Sequence, residues 1–345
     1  MIESADVAAK LRDAIARFLG PPGDILELRR LTAGATKATW AFTAQIGDAR
    51  QSLILQIATA GSRQEDPAAA RAIPARLATL SGKDDVAIIL AAAKGQVPVP
   101  PVRAVLTAEC GLGEGCITDY VAGETIARRI LREPRFAVLR ENFASQCGEV
   151  LARIHAMDAA SLPFLPQLDG ARQIALYREV YDSFDHPVPA LEVAFRWAHD
   201  HLPAATRTTV THGDFRMGNL ICGEQRIHAV LDWELASIGD PMQDLGWLCV
   251  KTWRFGGSEP VGGIGRRADL FAAYERATGV TVDPAAVHFW EVWGSVRWAV
   301  MCLLKGLAHR KDSAQRTVEA FAIGRRMEEP LFDFLEFLCK KRRSG

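Results

Sequence analysis

The chain has 345 residues, of which 49% are hydrophobic and 24% charged, with 41 Lys and Arg against 41 Asp and Glu. This length allows two lobes with a sizeable core, and the composition is ordinary for a globular enzyme. The balanced charge gives no sign of a nucleic-acid or membrane partner. No leader-like N-terminus and no apolar run of membrane length is found, so we expect a cytoplasmic protein.

The cysteines give a further bound on the class of protein. Seven of them are scattered along the chain without a C-x-x-C pair. An odd number with irregular spacing fits free thiols in a reducing compartment better than a disulfide framework or a zinc site.

In chain order, the first elements are a helix and a pair of strands. Apolar residues at helical spacing predict an amphipathic helix from Ser4 to Leu19, which ends at a Gly-Pro-Pro-Gly sequence. Residues 26–42 predict two strands around a bend at residues 32–37, which is an ordinary hairpin feature on its own. The bend contains Gly34, Ala35, Thr36 and Lys37.

A third strand and a helix follow. Residues 51–58 predict a strand in which every second side chain shares a face. Leu53, Leu55 and Ile57 form one face, and Ile54, Gln56 and Ala58 form the other. We interpret residues 58–81, rich in Ala and Arg, as a mobile insertion or a short helix, and residues 84–93 predict a longer helix.

Two more strands, at residues 102–107 and 116–120, precede a mainly helical remainder. Helical periodicity runs through residues 143–157 and 287–307. We interpret His155, within the first of these helices, as a buried structural residue. The chain shows no internal repeat or low-complexity linker, which indicates one compact two-lobed unit.

The strongest chemical signal lies in residues 210–234. Asp214 and Asn219 are five positions apart, and Asp232 follows eighteen positions after Asp214. Short apolar runs at residues 209–211, 220–222 and 227–231 predict flanking strands. The acids should therefore lie at the ends of elements, where a rigid scaffold presents a loop.

These residue types suit phosphoryl transfer, which needs positioning and charge neutralisation more than covalent help. A carboxylate such as Asp214 can orient a hydroxyl and accept its proton. Mg²⁺ prefers hard oxygen ligands, which the amide of Asn219 and the carboxylate of Asp232 provide. The spacing matches the kinase pattern of H-x-D, four residues, Asn and a later metal-binding Asp.

The same residues also allow simpler interpretations. A lone His-Gly-Asp is a weak motif, because Asp before a loop is often only a turn residue, and we interpret His212 as a packed loop histidine. Asp240, before Pro241, is at least as well explained as a helix N-cap. A two-metal phosphoesterase would need histidine ligands near its carboxylates, and Leu220 rather than His follows Asn219.

These motifs resemble the catalytic and metal loops of the aminoglycoside phosphotransferase family, which includes choline-kinase-like enzymes. His212-Gly213-Asp214 and Leu231-Asp232-Trp233 carry the resemblance, and residues 234–245 are also typical of the family. Residues 252–256 and 289–294 resemble a subgroup of kinase-like domains associated with acyl-CoA dehydrogenases. The resemblance covers roughly residues 31–298.

The resemblance implies an α+β, protein-kinase-like two-lobed fold. It implies a β-rich nucleotide-binding lobe over residues 1–119 and a mainly helical catalytic and acceptor-binding lobe over residues 120–345. ATP and Mg²⁺ are the implied cofactors, with Asp214 as the catalytic base and Asn219 and Asp232 as metal ligands.

The family also implies a nucleotide site. The backbone of Gly34, Ala35 and Thr36 would cover the phosphates, with Lys37 as a further phosphate contact. Ile54 would lie over the adenine. The carbonyl of Asp119 and the N–H of Val121 would meet its edge at the hinge.

Two positions depart from the family pattern. Gln56 stands where relatives carry a basic residue for the α- and β-phosphates, and an amide brings no positive charge. Asp85 stands where a glutamate usually partners that residue. An alternative role for Asp85 is that of a first-turn acid that complements the helix dipole, and the sequence does not separate the two.

The acceptor site is expected in the last part of the chain, where residues 251–345 hold 16 Lys and Arg against 11 Asp and Glu. A polycationic aminoglycoside would favour an acidic pocket, so this excess indicates a neutral or anionic acceptor. The subgroup resemblance implies a hydroxy-acid or hydroxyacyl-CoA. The candidate acceptor-binding residues are Trp253, Arg254, Glu291 and Arg297.

The sequence thus predicts ATP- and Mg²⁺-dependent phosphorylation of a hydroxyl on a small molecule. The alternative is a nucleotide-binding pseudoenzyme or regulatory protein of the same fold, because Gln56 lacks the expected charge. The two differ in whether another cation, such as Lys37, reaches the phosphates. The oligomeric state is left open.

Overall fold

The computed structural model describes residues 4–31, 37–58, 80, 82–205, 207–311 and 317–343. Its strands are β1 (Pro22–Ile25), β2 (Arg29–Leu31), β3 (Lys37–Ile46), β4 (Ala49–Ala58), β5 (Val102–Leu106), β6 (Gly115–Asp119), β7 (Thr209–Thr211), β8 (Leu220–Cys222), β9 (Ile227–Val230) and β10 (Ser237–Gly239). Its helices are α1 (Ser4–Phe18), α2 (Lys83–Lys94), α3 (Ala127–Arg132), α4 (Ala137–His155), α5 (Gly170–Asp182), α6 (Pro189–His201), α7 (Met242–Cys249), α8 (Arg267–Thr278), α9 (Pro284–Lys311), α10 (Val318–Gly324) and α11 (Glu328–Arg343).

An antiparallel sheet forms around the long hairpin of β3 and β4. These strands pair from Lys37 opposite Ala58 to Ile46 opposite Ala49. Gly47, at a φ of 59°, allows the two-residue turn between them. The sheet has six strands in the order β1-β3-β4-β6-β5, with β2 also paired to β3.

Alternation along β4 buries one face of the sheet. Leu53, Leu55 and Ile57 are buried in one apolar cluster with Leu11 of α1. Gln56 remains partly exposed on the other face, as the sequence predicts. The face that carries Gln56 is therefore the one that α1 does not cover.

A larger core holds the helical part together. α9 packs against α7, α10 and α11, and α4 packs against α8. Gly148 of α4 permits this second contact, because a Cβ there would lie 2.5 Å from the carbonyl oxygen of Leu270. α2 joins the same core through Ile88 and Ala92 and also contacts β5 and β6, so it connects the sheet to the helical part.

The α+β class and most of the predicted elements are confirmed. The helix that follows Asp240, α7, ends at Cys249, because Val250 has an extended ψ of 134° and a 3₁₀ turn, Lys251–Arg254, follows. β1 was not predicted, since its Pro-Gly start hides any strand periodicity. Among the helices that the structure describes, none combines the length and apolar character of a membrane span.

Some predicted features lie outside the described residues. They include the bend with Gly34, Ala35 and Thr36, and residues 59–79 and 81 of the expected insertion. These interpretations stay predictions.

Candidate active site

Two short antiparallel strand pairs position the loop of residues 212–219. β7 pairs with β10, and β8 pairs with β9. The loop begins directly after β7, and Asn219 directly precedes β8. The N–H of Leu231 donates to the carbonyl of Asn219 at 2.8 Å. This pairing brings Asn219 and Asp232 to the same end of one hairpin.

Asp214 is fixed by hydrogen bonds from several side chains. Its Oδ2 accepts from Asn219 Nδ2 at 2.7 Å. Its Oδ1 accepts from Trp247 Nε1 at 2.8 Å and from Arg216 Nε at 3.0 Å. Bonds from a charged donor and from tightly packed neighbours limit the rotation of the carboxylate. The hydrogen bonds thus fix the orientation of the Asp214 carboxylate.

Asp232 and Asn219 have the chemistry of a magnesium site. Asp232 has a φ of 64° and is in contact with solvent. Partial desolvation by the surrounding protein and the charge of Glu234 raise the pKa of Asp232; Lys37 opposes this effect and Asp214 adds to it. A carboxylate among other acids is stabilised by a divalent cation.

The donor set also fits Mg²⁺. Asn219 uses its side-chain Nδ2 to donate to Asp214. Its side-chain Oδ1 is therefore the atom that could bind a metal together with Asp232. Within the described part of the chain, no three His, Cys, Asp or Glu side chains gather as a metal cage. Mg²⁺ does not require one, because one or two protein oxygens, phosphate and water complete its shell.

His212 is a neutral structural residue, as expected. Its Nε2 lies 3.0 Å from the carbonyl of Leu231, so it must donate there, and its Nδ1 accepts from the N–H of Asp214 at 3.2 Å. Burial lowers the pKa of His212 against the nearby acids, which keeps the ring uncharged. The ring therefore braces the loop and does not act as a base.

Asp244 anchors the loop and was not identified from the sequence. It is fully buried and accepts from the N–H of His212 at 2.7 Å, the N–H of Gly213 at 2.9 Å and Nε2 of His155 at 3.1 Å. Burial opposes its charge, but the hydrogen bonds and charge of its partners hold the pKa of Asp244 below its usual range. The available signal was an acid within the apolar run of α7.

A buried arginine lies behind Asp214. Arg297 donates to the carbonyl of Gly213 at 3.2 Å and to Tyr177 Oη at 3.3 Å. Its guanidinium lies 4.5 Å from the ring of Trp247, whose N–H holds Asp214. Among the described residues, the rings of Tyr177 and Trp247 and the carbonyl of Gly213 surround the Arg297 guanidinium.

Arg216 and an aromatic cluster lie beside Asp214. The guanidinium of Arg216 is 4.8 Å from the ring of Trp253. Trp253 also contacts Trp247 and Trp298, with ring centroids 5.2 and 4.9 Å away. Arg216, two positions after Asp214, was likewise missed from the sequence. It places a positive charge directly at the predicted base.

Arg254 and Glu291 bind each other. Arg254 Nη2 lies 2.8 Å from Glu291 Oε1, and Arg267 Nη2 lies 2.6 Å from Oε2. Burial opposes the charge, but His288 and the two arginines lower the pKa of Glu291. Both oxygens of this carboxylate are thus used in a structural ion-pair network. Among the predicted acceptor residues, Trp253 and Arg297 contact the neighbours of Asp214. In the part of the chain that the structure describes, Arg254 and Glu291 instead contact each other, Arg267 and the carbonyl of Cys249.

At the start of β3, Lys37 forms an ion pair with Asp85. Lys37 Nζ lies 2.6 Å from Asp85 Oδ1. Burial opposes the lysine charge, but Asp85 raises the pKa of Lys37, and Asp232 and Glu234 add to this effect. Two roles were left open for Asp85, and its contact is that of a partner to a strand lysine. That lysine is Lys37 of β3 and not a residue at position 56 of β4.

The remaining predicted nucleotide residues line the same sheet. Ile54 shares the partly exposed face of β4 with Gln56. Asp119 ends β6, and its Oδ1 accepts from Arg103 Nε at 2.7 Å. Val121 follows at the exit from the sheet, after Tyr120 donates its N–H to the Ser52 carbonyl at 3.0 Å. Their contacts with a nucleotide stay predictions.

The chain is similar to known proteins in sequence and in fold. In mouse, acyl-CoA dehydrogenase family member 10 is 35% identical over 174 residues, 47% of this chain and 16% of that protein. The chain thus matches less than a quarter of this relative's length. A crystal structure of a candidate aminoglycoside phosphotransferase from Ralstonia eutropha is similar with a TM-score of 0.69, 21% identity and coverage of 97% and 99%.

A spectinomycin phosphotransferase in complex with ADP and spectinomycin is similar with a TM-score of 0.58, 14% identity and coverage of 94% and 97%. These likenesses confirm the predicted kinase-like two-lobed fold. The model of the phosphotransferase enzyme family matches residues 27–289, well over half of the chain. The protein therefore belongs to the phosphotransferase enzyme family.

Proposed function

We propose that this protein transfers a phosphoryl group from ATP to a hydroxyl of a small molecule. The observation that carries the proposal is the environment of Asp214, which is held by Asn219 and Trp247 within electrostatic reach of Asp232. A fixed carboxylate beside a metal-compatible pair is the arrangement that phosphoryl transfer requires. ADP in a solved neighbour of the same fold supports a nucleotide donor.

The chain's own residues would divide the work. Asp214 orients the acceptor hydroxyl and takes its proton as the new O–P bond forms and the bond between the γ-phosphorus and the ADP oxygen breaks, so that ADP leaves. Asn219 and Asp232 hold Mg²⁺, which neutralises charge on the phosphate oxygens when bound. Arg216, beside Asp214, adds positive charge at the transferring group. Asp244 keeps the loop in place through its backbone.

For the acceptor we propose an anionic hydroxy compound, either a hydroxy-acid or a hydroxyacyl-CoA. Arg216 and Arg297 lie near Asp214 together with a tryptophan cluster, which favours anionic and apolar groups over a polycation. The acyl-CoA dehydrogenase named in the mouse relative supports acyl chemistry for a domain of this kind. The cytoplasmic location stays a prediction.

An acceptor screen tests this function. Purified protein with Mg²⁺ and ATP would be offered hydroxyacyl-CoAs, free hydroxy-acids and an aminoglycoside, and phosphorylated product would be measured. We expect the highest kcat/KM for an anionic acceptor. Preference for the aminoglycoside would overturn the acceptor class, and no product from any hydroxyl compound would overturn the activity.

The second candidate is a nucleotide-binding pseudoenzyme, and Gln56 is the observation that favours it. A strand without a lysine would lack the charge that holds the α- and β-phosphates. Lys37 beside Asp85 argues for the enzyme, because it returns a cation to the same face of the sheet.

A further inference from the structure

We infer that Lys37 replaces the missing strand lysine, so that the phosphate-binding cation has moved from β4 to the neighbouring strand β3. The inference rests on the proposed function and names Lys37 as the residue that would bind the phosphates of ATP in that reaction. It also explains why this chain can carry Gln56 without losing the site.

The strand register places Lys37 on the correct face. Lys37 lies opposite Ala58, and Thr39 lies opposite Gln56. Directly opposite residues of antiparallel strands share a face, as do residues two apart on one strand. Lys37 and Gln56 therefore lie on the same face, separated by about 7 Å along the strand and ~4.8 Å between strands.

The carboxylate partner is retained although the lysine has moved. Asp85 lies in the first turn of α2 and pairs with Lys37 across 48 positions of sequence at 2.6 Å. α2 is fixed in the larger core by Ile88 and Ala92, which are fully buried. Asp85 is thus a rigid partner that directs the flexible lysine side chain.

Lys37 is also directed toward the metal loop. The charges of Asp232 and Glu234 act on Lys37, and Lys37 in turn acts on Asp232. A cation between Asp85 and Asp232 lies where the phosphates of a nucleotide held at the metal site would pass. A purely structural ion pair needs no such position, as the exposed Lys10–Asp6 pair at 2.7 Å illustrates.

The test compares binding of Mg²⁺-ATP and of adenosine by calorimetry, with wild type and Lys37→Met. Loss of a charge-assisted contact should weaken Mg²⁺-ATP binding roughly 10- to 100-fold. Adenosine has no phosphate, so its affinity should be unchanged. Lys10→Met, which removes the exposed lysine–aspartate pair of α1, should leave both affinities unchanged. In Lys37→Met/Asp85→Asn, which leaves no unpaired buried acid, the same selective loss is expected.

A charge-return variant completes the design. Gln56→Lys added to Lys37→Met should restore Mg²⁺-ATP affinity, because the new lysine faces the same space and Asp85 remains. Unchanged Mg²⁺-ATP affinity in Lys37→Met, or an equal loss for adenosine, would overturn the inference and leave the proposed function standing. Wild type that does not bind Mg²⁺-ATP would instead overturn the proposed function.

Discussion

Asp244 shows how much of the site depends on one buried carboxylate. It accepts hydrogen bonds from the N–H groups of His212 and Gly213 and from His155, and the side chains of Asp244 and His155 have no exposure to solvent. These donors stabilise its ionised form, whereas burial by itself would favour the protonated form. The loop geometry therefore requires Asp244 to be ionised.

Asp244→Asn should lower the free energy of unfolding by about 2–4 kcal/mol at neutral pH, because a buried hydrogen-bonded charge is lost. The folded-state pKa lies below the ordinary value, so this stabilisation is complete above pH ~4 and is lost as the pH falls further. Urea unfolding at several pH values measures it. Asp200→Asn, at an exposed position, is the control. A difference from wild type that does not shrink in acid would contradict this account.

The tryptophan cluster offers a matched pair of substitutions. Trp247 Nε1 donates to Asp214, whereas Trp253 Nε1 has no hydrogen-bond partner among the described residues. Trp247→Phe should lower kcat about tenfold with little change in KM, because one bond that orients the base is removed. Trp253→Phe makes the same change of volume and should have a much smaller effect on kcat. Equal effects would show that packing, not the hydrogen bond, matters.

At the scale of elements, the turn after β7 depends on a glycine. Gly213 has a φ of 78°, and a Cβ there would meet the carbonyl of Leu235. Gly279, which follows α8, has a similar φ of 69° but open space around it. An alanine at either position would be strained by the positive φ, and at Gly213 it would also meet the neighbouring carbonyl.

Gly213→Ala should destabilise the protein by about 1–3 kcal/mol and reduce turnover, since the backbone that carries Asp214 must shift. Gly279→Ala should cost about 1 kcal/mol from φ alone and leave turnover unchanged. Thermal unfolding and kcat measured on both variants separate strain from contact. Full activity in Gly213→Ala would contradict the proposed positioning of the loop.

Much of this local structure could be predicted from sequence. The strand pairs around Asn219 follow from short apolar runs between turns, and observed β7, β8 and β9 agree closely with them. The contact of Lys37 with Asp85 could not be predicted, because it depends on the β3–β4 register and on the placement of α2. Asp244 was missed because its contacts also depend on the tertiary fold: the backbone N–H groups that it accepts from lie 31 and 32 residues earlier in the chain.

At the scale of the whole molecule, the residues proposed to bind the nucleotide and Mg²⁺ come from both parts of the fold. Lys37 and Ile54 belong to the sheet, whereas Asn219 and Asp232 belong to the larger, mainly helical part. A nucleotide with Mg²⁺ that contacts both parts binds only the folded chain. Its binding free energy therefore adds to the stability of the fold.

Mg²⁺-ATP at 100 times its Kd should stabilise the protein by about 2.7 kcal/mol, visible as a higher Tm. Removal of Mg²⁺ with a chelator should reduce this shift, since Asp232 then has no cation to share with the phosphates. Asp232→Asn should show a smaller shift that no longer depends on Mg²⁺. The same Mg²⁺ dependence in Asp232→Asn would exclude this residue as a metal ligand.

The most direct test of the central claim is product identification by mass spectrometry with wild type and Asp214→Asn. Each would be incubated with Mg²⁺, ATP and the best acceptor from the screen. We expect one added phosphoryl group on the acceptor with wild type, and a rate at least ~100-fold lower with Asp214→Asn at unchanged Mg²⁺-ATP affinity. Equal product from both proteins would contradict the role of Asp214, and phosphate released without a phosphorylated acceptor would contradict the transfer itself.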